Sequence, residues 1–522
     1  MLEAHVHQQL RAFLREQPGS PWPHHLTLAR LVARALRVGR SALIERGTTG
    51  PSSAYRWGYL MAVLLWPGGV VLVAPEATLQ ELMAVDLPPL QEWLGSQKPV
   101  VRGDRWPRGF GGLLLTTPQV WLDALAQDPG AFPPQIPILI EGADDLEQWF
   151  IQSQTLHLGS QDWQSLTLAC PHQGERVRDA RVRLTHALFQ RPNNVYNRCL
   201  LEEAEQILLR ELHQALLHPV PSDLGRESLA PLPPPWVAFQ RQLALGQGMT
   251  IACLDRQQGT FNLEWSPLEV APTLRPYWNR QPVVLLRDTL GGDSSPSPYQ
   301  HRLGIEDLTL VQFGLDRHTE QLQLYLPEHL PLPNTPHFHR ALLVELRRLL
   351  TLSATAPGFT VILINDQPLQ SQVGATLAAE FGSRVRLERL PESCPSDSPG
   401  CADILISGWE FWRQHQNQCP PPQLLAMATL PLPSLEDPRV AGQVAHYKQQ
   451  GQDWFRCYLL PQALMELQRA IAPVRRSQGV FALLDLRVLH RSYGQQILTI
   501  LSPMARLGYL DPSLFSPQDC LV

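Results

Sequence analysis

The segment Glu45–Ser53 reads ERGTTGPSS and places glycine and hydroxyl residues between two stretches of helical character. Backbone N–H groups of such a loop can surround a phosphate, and the helix that follows offers its positive end to an anion. A working loop of this kind also needs a lysine, but Ser52 stands at that position, and Pro51 removes one backbone donor. The segment therefore has the spacing of a phosphate-binding loop without its cation. A plain turn is the alternative interpretation.

The composition and the net charge limit the number of domains and the partners to be expected. The chain has 522 residues, of which 44% are hydrophobic and 17% charged, so two to four globular domains are expected. The net charge of −5 gives no overall attraction to a polyanion or a membrane surface, and any nucleic-acid site must be a local groove. Eight scattered cysteines without a CxxC pair indicate reduced thiols. With no apolar signal segment, the sequence predicts a soluble, cytoplasmic protein without a membrane partner.

The loop must be positioned by the elements around it, and these alternate. The apolar runs GVVLVAP, GLLLTTP and IPILIEG are typical of parallel strands buried on both faces, with helical segments between them. A second series of strands and helices begins near residue 340, with FTVILIND and ADILISG as strands. Between the two series, residues 151–235 have helical periodicity and end in the proline-rich APLPPPW, which we interpret as a stiff linker. The pattern predicts two doubly wound α/β lobes with a helical insertion in the first.

Four segments of the second half, in the right order, resemble the DinG/XPD type of superfamily 2 DNA helicases. They are ADILISGWEFWRQH at 402–415, LLAMATLPLPSLEDP at 424–438, DWFRCYLLPQALMELQRAIAPVRR at 453–476 and GVFALLDLRVLHRSYGQQIL at 479–498. The resemblance spans roughly residues 20–505. It implies a fold of two RecA-like lobes with doubly wound parallel sheets, ATP and Mg²⁺ as the cofactors of an active member, and a cleft between the lobes as the site.

The resemblance also assigns the opening loop. The family's E-A-x-T-G-x-G-K-S corresponds to Glu45–Ser53, so a vestigial nucleotide site would include Gly47, Thr48, Gly50, Ser52 and Ser53. Gln468, in the later motif, joins this set. The spacing of the motif is kept, but its phosphate chemistry is lost at Ser52.

The resemblance implies further losses in the residues that would carry catalysis. The family's D-E-A-H corresponds to Glu141, Gly142, Ala143 and Asp144, so a longer carboxylate replaces the metal-organising aspartate and the water-activating glutamate is absent at Gly142. RDTL at 287–290 replaces SATL, and of the two arginines in GRLIR only Arg475 is retained, with Ala472 at the other position. Glu141, Gly142, Asp144 and Arg475 are thus read as vestiges, and the sequence predicts a degenerate member with eroded Walker A, Walker B and arginine-finger motifs.

Two further expectations concern partners and metals. Many XPD-type enzymes carry four cysteines for an iron–sulfur cluster, whereas residues 76–140 contain none, so no cluster is expected. Cations interleaved with an aromatic ring can hold single-stranded nucleic acid, and a solvated loop with an inward tryptophan is the alternative. No other metal site is predicted. The candidate nucleic-acid contacts are Thr78, Arg102, Arg105, Trp106 and Arg108.

The sequence predicts lobe 1 at 1–150, the insertion and linker at 151–235, a return to lobe 1 at 236–295 and lobe 2 at 296–522. The predicted function is that of a pseudo-helicase that binds single-stranded nucleic acid or a protein partner without efficient ATP hydrolysis. An active ATP-dependent DNA helicase with non-standard motifs is the first alternative, and a pure protein-interaction module is the second. The sequence does not decide between DNA and RNA, or fix the partner, pathway or oligomeric state.

Overall fold

Lobe 1 is built on a seven-stranded sheet in which every strand pair is parallel. The computed structural model describes residues 2–17, 22–47, 55–96, 98–128, 130–217, 231–291, 298–315, 321–354, 358–390 and 403–515. The first part of lobe 1 contains α1 (Leu2–Glu16), α2 (His25–Val38), β1 (Ala42–Glu45), α3 (Arg56–Leu65), β2 (Val70–Val73), α4 (Glu76–Glu81), α5 (Leu87–Leu94), β3 (Val100–Arg102), β4 (Leu113–Thr116), α6 (Pro118–Gln127), β5 (Ile138–Glu141) and α7 (Leu146–Gln154).

An insertion follows, and it is not purely helical. It contains β6 (Leu156–Leu158), α8 (Ser160–Ala169), α9 (Gly174–Phe189), β7 (Arg198–Leu200), α10 (Glu203–Leu217), α11 (Pro234–Leu245), β8 (Gly248–Asp255) and β9 (Thr260–Pro267). Its four strands form an antiparallel sheet in the order β6-β9-β8-β7, and the helices pack against that sheet around a separate core.

Lobe 1 then resumes with α12 (Ala271–Trp278), β10 (Val283–Arg287), α13 (Pro298–Leu303) and β11 (Thr309–Gln312). The complete order of its sheet is β11-β1-β10-β5-β2-β4-β3.

Lobe 2 has its own seven-stranded parallel sheet in the order β14-β15-β13-β16-β17-β12-β18. Its elements are β12 (Leu322–Tyr325), α14 (Phe338–Ser353), β13 (Thr360–Leu363), α15 (Gln367–Phe381), β14 (Val385–Leu387), β15 (Ile404–Ser407), α16 (Trp409–His415), β16 (Leu424–Met427), α17 (Pro438–Gln449), α18 (Leu460–Arg476), β17 (Val480–Leu483), α19 (Arg487–His490), α20 (Gly494–Leu501) and β18 (Met504–Leu507).

The apolar runs form strands because both faces of each sheet are covered by helices. Successive residues of a strand point to opposite faces, and accordingly Val70 and Leu72 of β2 lie in one core of lobe 1 while Val71 and Val73 lie in the other. Val361 and Ile362 of β13 divide in the same way between the two cores of lobe 2. The predicted fold class, two doubly wound α/β lobes, is confirmed.

Two predicted segment boundaries differ from the structure. Residues 236–267 lie in the insertion, not in lobe 1, because the hairpin of β8 and β9 completes the insertion's sheet. The proline run is not a linker between domains: Pro234 and Pro235 begin α11, where the missing N–H groups cost nothing, and Trp236 is buried in the insertion's core. The start of lobe 2 also moves, because β11 pairs with β1 and so belongs to lobe 1.

Candidate functional site in the cleft between the lobes

Three neighbouring strands of lobe 1 end in charged residues at one edge of the sheet. β10 lies between β1 and β5, and Glu45, Arg287 and Glu141 are the last residues of these strands. Glu45 is directly paired with Arg287 in the register of the sheet. Because the carboxyl ends of parallel strands meet at a common edge, charges that lie far apart in sequence come together here.

Glu141 is enclosed by donors from lobe 1. Its Oε1 atom accepts hydrogen bonds from the Tyr55 hydroxyl and from Arg56 Nε, the latter at 2.9 Å, and its Oε2 atom accepts from the Tyr59 hydroxyl. The two tyrosines come from one face of the turn that begins α3, four residues apart. Glu141 is only 5% exposed, so most of its acceptor capacity is used inside lobe 1.

Arg56 links this carboxylate to two more. Its Nη1 atom lies 2.6 Å from Glu81 and 3.0 Å from Asp86, and its side chain is almost fully buried. Burial raises the pKa of Asp86 to about 6, although the adjacent Arg56 lowers it in part. The carboxylate of Glu141 therefore belongs to a buried ion-pair network and is not presented to the cleft.

Asp144 is held by the residues that follow β10. It accepts hydrogen bonds from Arg287 Nε at 3.1 Å, from the backbone N–H of Asp288 at 2.7 Å, and from the hydroxyl of Thr289. Burial alone would raise the pKa of Asp144, but the charges of Arg287 and Arg469 outweigh it and hold the pKa below its ordinary value. The aspartate is ionised and already compensated.

Arg287 occupies the centre of this edge. Its Nη1 atom lies 2.9 Å from Glu45, while its Nε atom contacts Asp144. Its guanidinium also lies over the ring of Tyr299, 4.0 Å from the centroid. The Arg287 guanidinium thus lies between two buried carboxylates. A divalent cation at this place would need oxygens of these carboxylates that are already bound to arginine.

Arg46 adds a second buried cation beside the opening loop. Its guanidinium lies 3.0 Å from the centroid of the Tyr55 ring, and it forms an ion pair with Asp288. Burial lowers the pKa of Arg46, and its Nε and Nη1 atoms have no hydrogen-bond partner among the described residues. Arg46 lies at the start of the predicted phosphate-binding loop, and Tyr55 follows its end. Four predicted site residues of the loop lie outside the described residues, namely Thr48, Gly50, Ser52 and Ser53.

Two further residues of lobe 1 that the sequence assigned to a vestigial site, Gly47 and Gly142, have left-handed backbone conformations. Gly47 has a positive φ of 56°, and a Cβ atom there would lie 3.0 Å from the side chain of Leu290. Gly142 has a φ of 77°, and a Cβ atom there would lie 3.3 Å from Trp149. The backbone therefore favours glycine at 142, which leaves this position without a carboxylate.

Lobe 2 closes the cleft with α18. Gln468 Oε1 accepts from the Leu290 N–H at 2.8 Å, and Gln468 Nε2 donates to the Leu290 carbonyl at 3.0 Å. The retained Arg475 is 2% exposed and donates to the carbonyls of Leu501 and Pro503 in its own lobe. A cavity beside Gly47 and Ala472, between the two lobes, has a volume of about 30 Å³.

Sequence reasoning missed the cation that crosses the cleft. Arg469, one residue after Gln468, lies 2.7 Å from Asp145 of lobe 1. Burial would lower the pKa of Arg469, but Asp145, Asp144 and Glu466 outweigh it and raise the pKa. The adjacent acids at 144 and 145 were the available sequence signal, because they require a partner when buried.

The candidate nucleic-acid contacts are not assembled into one open surface. Arg102 pairs with Glu76, and Arg105 lies 3.8 Å from Asp128. Trp106 is partly buried against lobe 1, with its ring centroid 5.1 Å from that of Phe110, and it covers Gly69. The other two candidates are Arg108, which is exposed, and Thr78, which is half-buried on α4. Trp106 thus adopts the inward packing that was the alternative to a stacking role.

Two general features follow from the described residues. Within those ranges, no three or more His, Cys, Asp or Glu side chains form a group suited to a metal ion. Among the described helices, none combines the length and apolar character needed to cross a bilayer.

Comparisons with known proteins agree with this architecture. The family model described as "Helicase C-terminal domain" matches residues 422–504. The ATP-dependent DNA helicase YoaA of Escherichia coli (strain K12) is 25% identical over 261 residues, which are 47% of this chain and 40% of that protein. The structure of S. tokodaii Xpd4 aligns with a TM-score of 0.58 at 12% identity, over 93% of this chain and 100% of that one. An XPD helicase structure aligns with a TM-score of 0.57 at 12% identity, over 94% of this chain and 100% of that one.

The two parallel sheets and these structural alignments define a two-lobed helicase fold of the RecA-like type. With the matched C-terminal domain and the similarity to YoaA, they confirm the resemblance to the DinG/XPD type of superfamily 2 helicases. The chain spans 40% of the length of the curated relative that it matches.

Proposed function

We propose that this helicase-family protein is a pseudo-helicase, which binds single-stranded nucleic acid or a protein partner and does not turn over ATP efficiently. One observation carries the proposal. The two carboxylates available for a metal ion at the end of β5, Glu141 and Asp144, are buried and bound by arginine, tyrosine and threonine side chains of lobe 1.

The cost of releasing those carboxylates supports the proposal. A Mg²⁺ ion at this edge would need oxygens from Glu141 or Asp144, and it would have to displace Arg56 or Arg287. Breaking a buried ion pair by removing one partner costs about 3–5 kcal/mol, because the remaining charge is left buried and uncompensated. ATP–Mg²⁺ therefore does not fit the residues at this site in their present arrangement.

The phosphate side of the cleft gives independent support. The only arginine of the GRLIR-like motif that is retained, Arg475, is engaged by carbonyls of its own lobe, and Ala472 offers no charge. Arg46, buried beside the loop, is already paired with Asp288.

ATPase measurements test the proposal. Purified protein is incubated with ATP and Mg²⁺, with and without single-stranded DNA, and binding is followed in parallel by titration calorimetry. We expect no turnover that rises when DNA is added. Glu141→Gln and Asp144→Asn serve as controls, because a contaminating ATPase is insensitive to both substitutions. DNA-stimulated hydrolysis that disappears in either folded variant would show an active helicase with non-standard motifs.

The partner is tested by fluorescence anisotropy with a labelled single-stranded oligonucleotide. Arg102, Arg105 and Arg108 are the exposed cations that support a nucleic-acid partner. Since phosphate contacts release counterions, affinity should fall as salt rises, and Arg105→Ala with Arg108→Ala should reduce that slope by about 1–2. Arg347→Ala, which removes an exposed arginine of lobe 2, is the matched control. Absence of binding at low salt favours the protein-interaction module.

A further inference from the structure

Direct bonds between the lobes occupy the cleft. The first group, here called the clamp, consists of Gln468 and Arg469 of α18 with Leu290 and Asp145 of lobe 1. Gln468 makes two hydrogen bonds to the backbone of Leu290, at 2.8 and 3.0 Å, and Arg469 Nη2 lies 2.7 Å from Asp145. These bonds join the two lobes directly at the cleft.

Further charged and polar side chains lie around the clamp. The side chain of Arg469 is 12% exposed, and its Nη1 atom also lies 3.7 Å from Glu466. Beside it, Arg413 of α16 donates to the side chain of Gln148 in lobe 1 at 3.0 Å. Arg469 is largely removed from water and Asp145 is 33% exposed, so salt screens this ion pair less than a fully exposed pair.

A second group of bonds, here called the strap, joins lobe 2 to the end of the insertion. Arg439 Nη2 of α17 lies 2.7 Å from Glu264, and Gln443 Nε2 donates to the Leu268 carbonyl at 3.1 Å. One turn further on, His446 Nε2 lies 2.8 Å from Glu269. The strap therefore runs along one face of α17 and is separate from the clamp.

The strap depends on a close approach of α17 to the insertion. A Cβ atom at Gly442 would lie 2.8 Å from Met249 Sδ and 3.4 Å from the side chain of Leu200. A larger residue at 442 would have to displace the side chains of Met249 and Leu200 or move the helix away from β7 and β8. The glycine thus permits the contact that the polar bonds of the strap complete.

We propose that the clamp and the strap hold the two lobes closed without a nucleotide, so that the chain presents one permanent arrangement of its surface to its partner. A ligand can shift an equilibrium between open and closed lobes only by binding one state better than the other. Here side chains and backbone groups of the two lobes supply the bridging contacts directly. This inference extends the proposed function, since it explains how a chain that does not use ATP keeps its lobes in place.

Small-angle X-ray scattering on the full chain tests the proposal. We expect the radius of gyration of the natural protein to agree with that of the closed structure and to be unchanged by ATP–Mg²⁺. A radius that is larger than the closed structure gives, and that falls when ATP–Mg²⁺ is added, would overturn the proposal. This measurement needs no variant, so it stands even if a substitution prevents folding.

Variants then test whether the two groups of bonds hold the lobes. The triple variant Gln468→Ala, Arg469→Ala and Gly442→Leu should have a larger radius of gyration than the natural protein. Arg469→Asp alone should also increase the radius of gyration, and adding Asp145→Arg should restore the closed value. Arg347→Ala, which breaks an exposed ion pair within lobe 2, is the matched control and should change nothing. If the combined variant folds, as judged by circular dichroism, and remains closed, the clamp and the strap do not hold the lobes.

The scattering and ATPase results are distinguishable. A closed chain that hydrolyses ATP would contradict the proposed function but not the permanent closure. An open chain that closes on ATP–Mg²⁺ without hydrolysis would contradict the closure but not the loss of turnover.

Discussion

Replacing Arg287 with methionine removes a buried cation that contacts both Glu45 and Asp144 while keeping most of the side-chain volume. Glu45 has no exposed surface, and Asp144 is 7% exposed. After the substitution, Glu45 retains the N–H of Gly291 at 2.7 Å, and Asp144 retains the N–H of Asp288 at 2.7 Å, so neither carboxylate loses all of its donors.

We expect Arg287→Met to lower the stability of lobe 1 by about 3 kcal/mol, the low end of the cost of breaking a buried ion pair, because those backbone donors remain. A loss of that size corresponds to about 100-fold faster hydrogen exchange of the most protected amides of β1, β5 and β10. Hydrogen–deuterium exchange read by mass spectrometry measures this locally. It avoids treating a chain of several domains as a single two-state unit.

The pH dependence of the same hydrogen-exchange rates provides a second test. Arg287 holds the pKa of Asp144 below its ordinary value, so the natural protein gains stability from this pair above pH 4 and loses it as the pH falls. The deficit of Arg287→Met should therefore shrink as the pH is lowered below 4. Adding Glu45→Gln to Arg287→Met should recover part of the lost stability at neutral pH, because Asp144 is then the one carboxylate of this pair that lacks the Arg287 charge. Exchange rates no faster than those of Arg347→Met, a surface control, would refute the reasoning.

Three further outcomes are expected. His25 is buried and burial lowers its pKa to about 4, so the unfolded chain binds a proton that the folded chain does not. The stability of lobe 1 should fall by about 2 kcal/mol between pH 7 and pH 5, and by less in His25→Phe, as measured by hydrogen exchange of its most protected amides corrected for the intrinsic rate at each pH. Trp106→Ala should lower stability by about 2 kcal/mol, because the ring packs on Phe110, and leave oligonucleotide affinity unchanged in an anisotropy titration. Gly142→Glu combined with Ser52→Lys should give no ATP turnover in a phosphate-release assay, since Glu141 stays engaged and a side chain at a φ of 77° costs about 1–2 kcal/mol.

The strands of both lobes were predictable because each is covered on both faces. A strand such as β2, with four buried apolar residues in succession, gives a signal that needs no knowledge of its neighbours. The position of Glu141 at the end of β5 followed from the same run. The insertion was harder, because its proline run resembles a linker, whereas Pro234 and Pro235 begin a helix whose Trp236 is buried.

The partners that neutralise the site were not predictable from local patterns. Arg56 and Glu141 lie 85 residues apart, and only the sheet and α3 bring them into contact. The segment beginning at Arg287 was recognised as a departure from the family's motif, but its contact with Glu45 across 242 residues depends on the register of β1 and β10. A tryptophan among arginines likewise does not state which way its ring faces, and Trp106 faces inward.

The Arg287 guanidinium, bound between Glu45 and Asp144, limits the substitutions that this edge of the sheet tolerates. Removing it first leaves Glu45 without this ion pair and Asp144 with the charge of Arg469 alone, and neutralising either acid first removes one of the two ion pairs of the guanidinium. Each of these single steps therefore passes through a less stable intermediate. Coordinated pairs of substitutions are therefore tolerated at this edge of the sheet more readily than single ones.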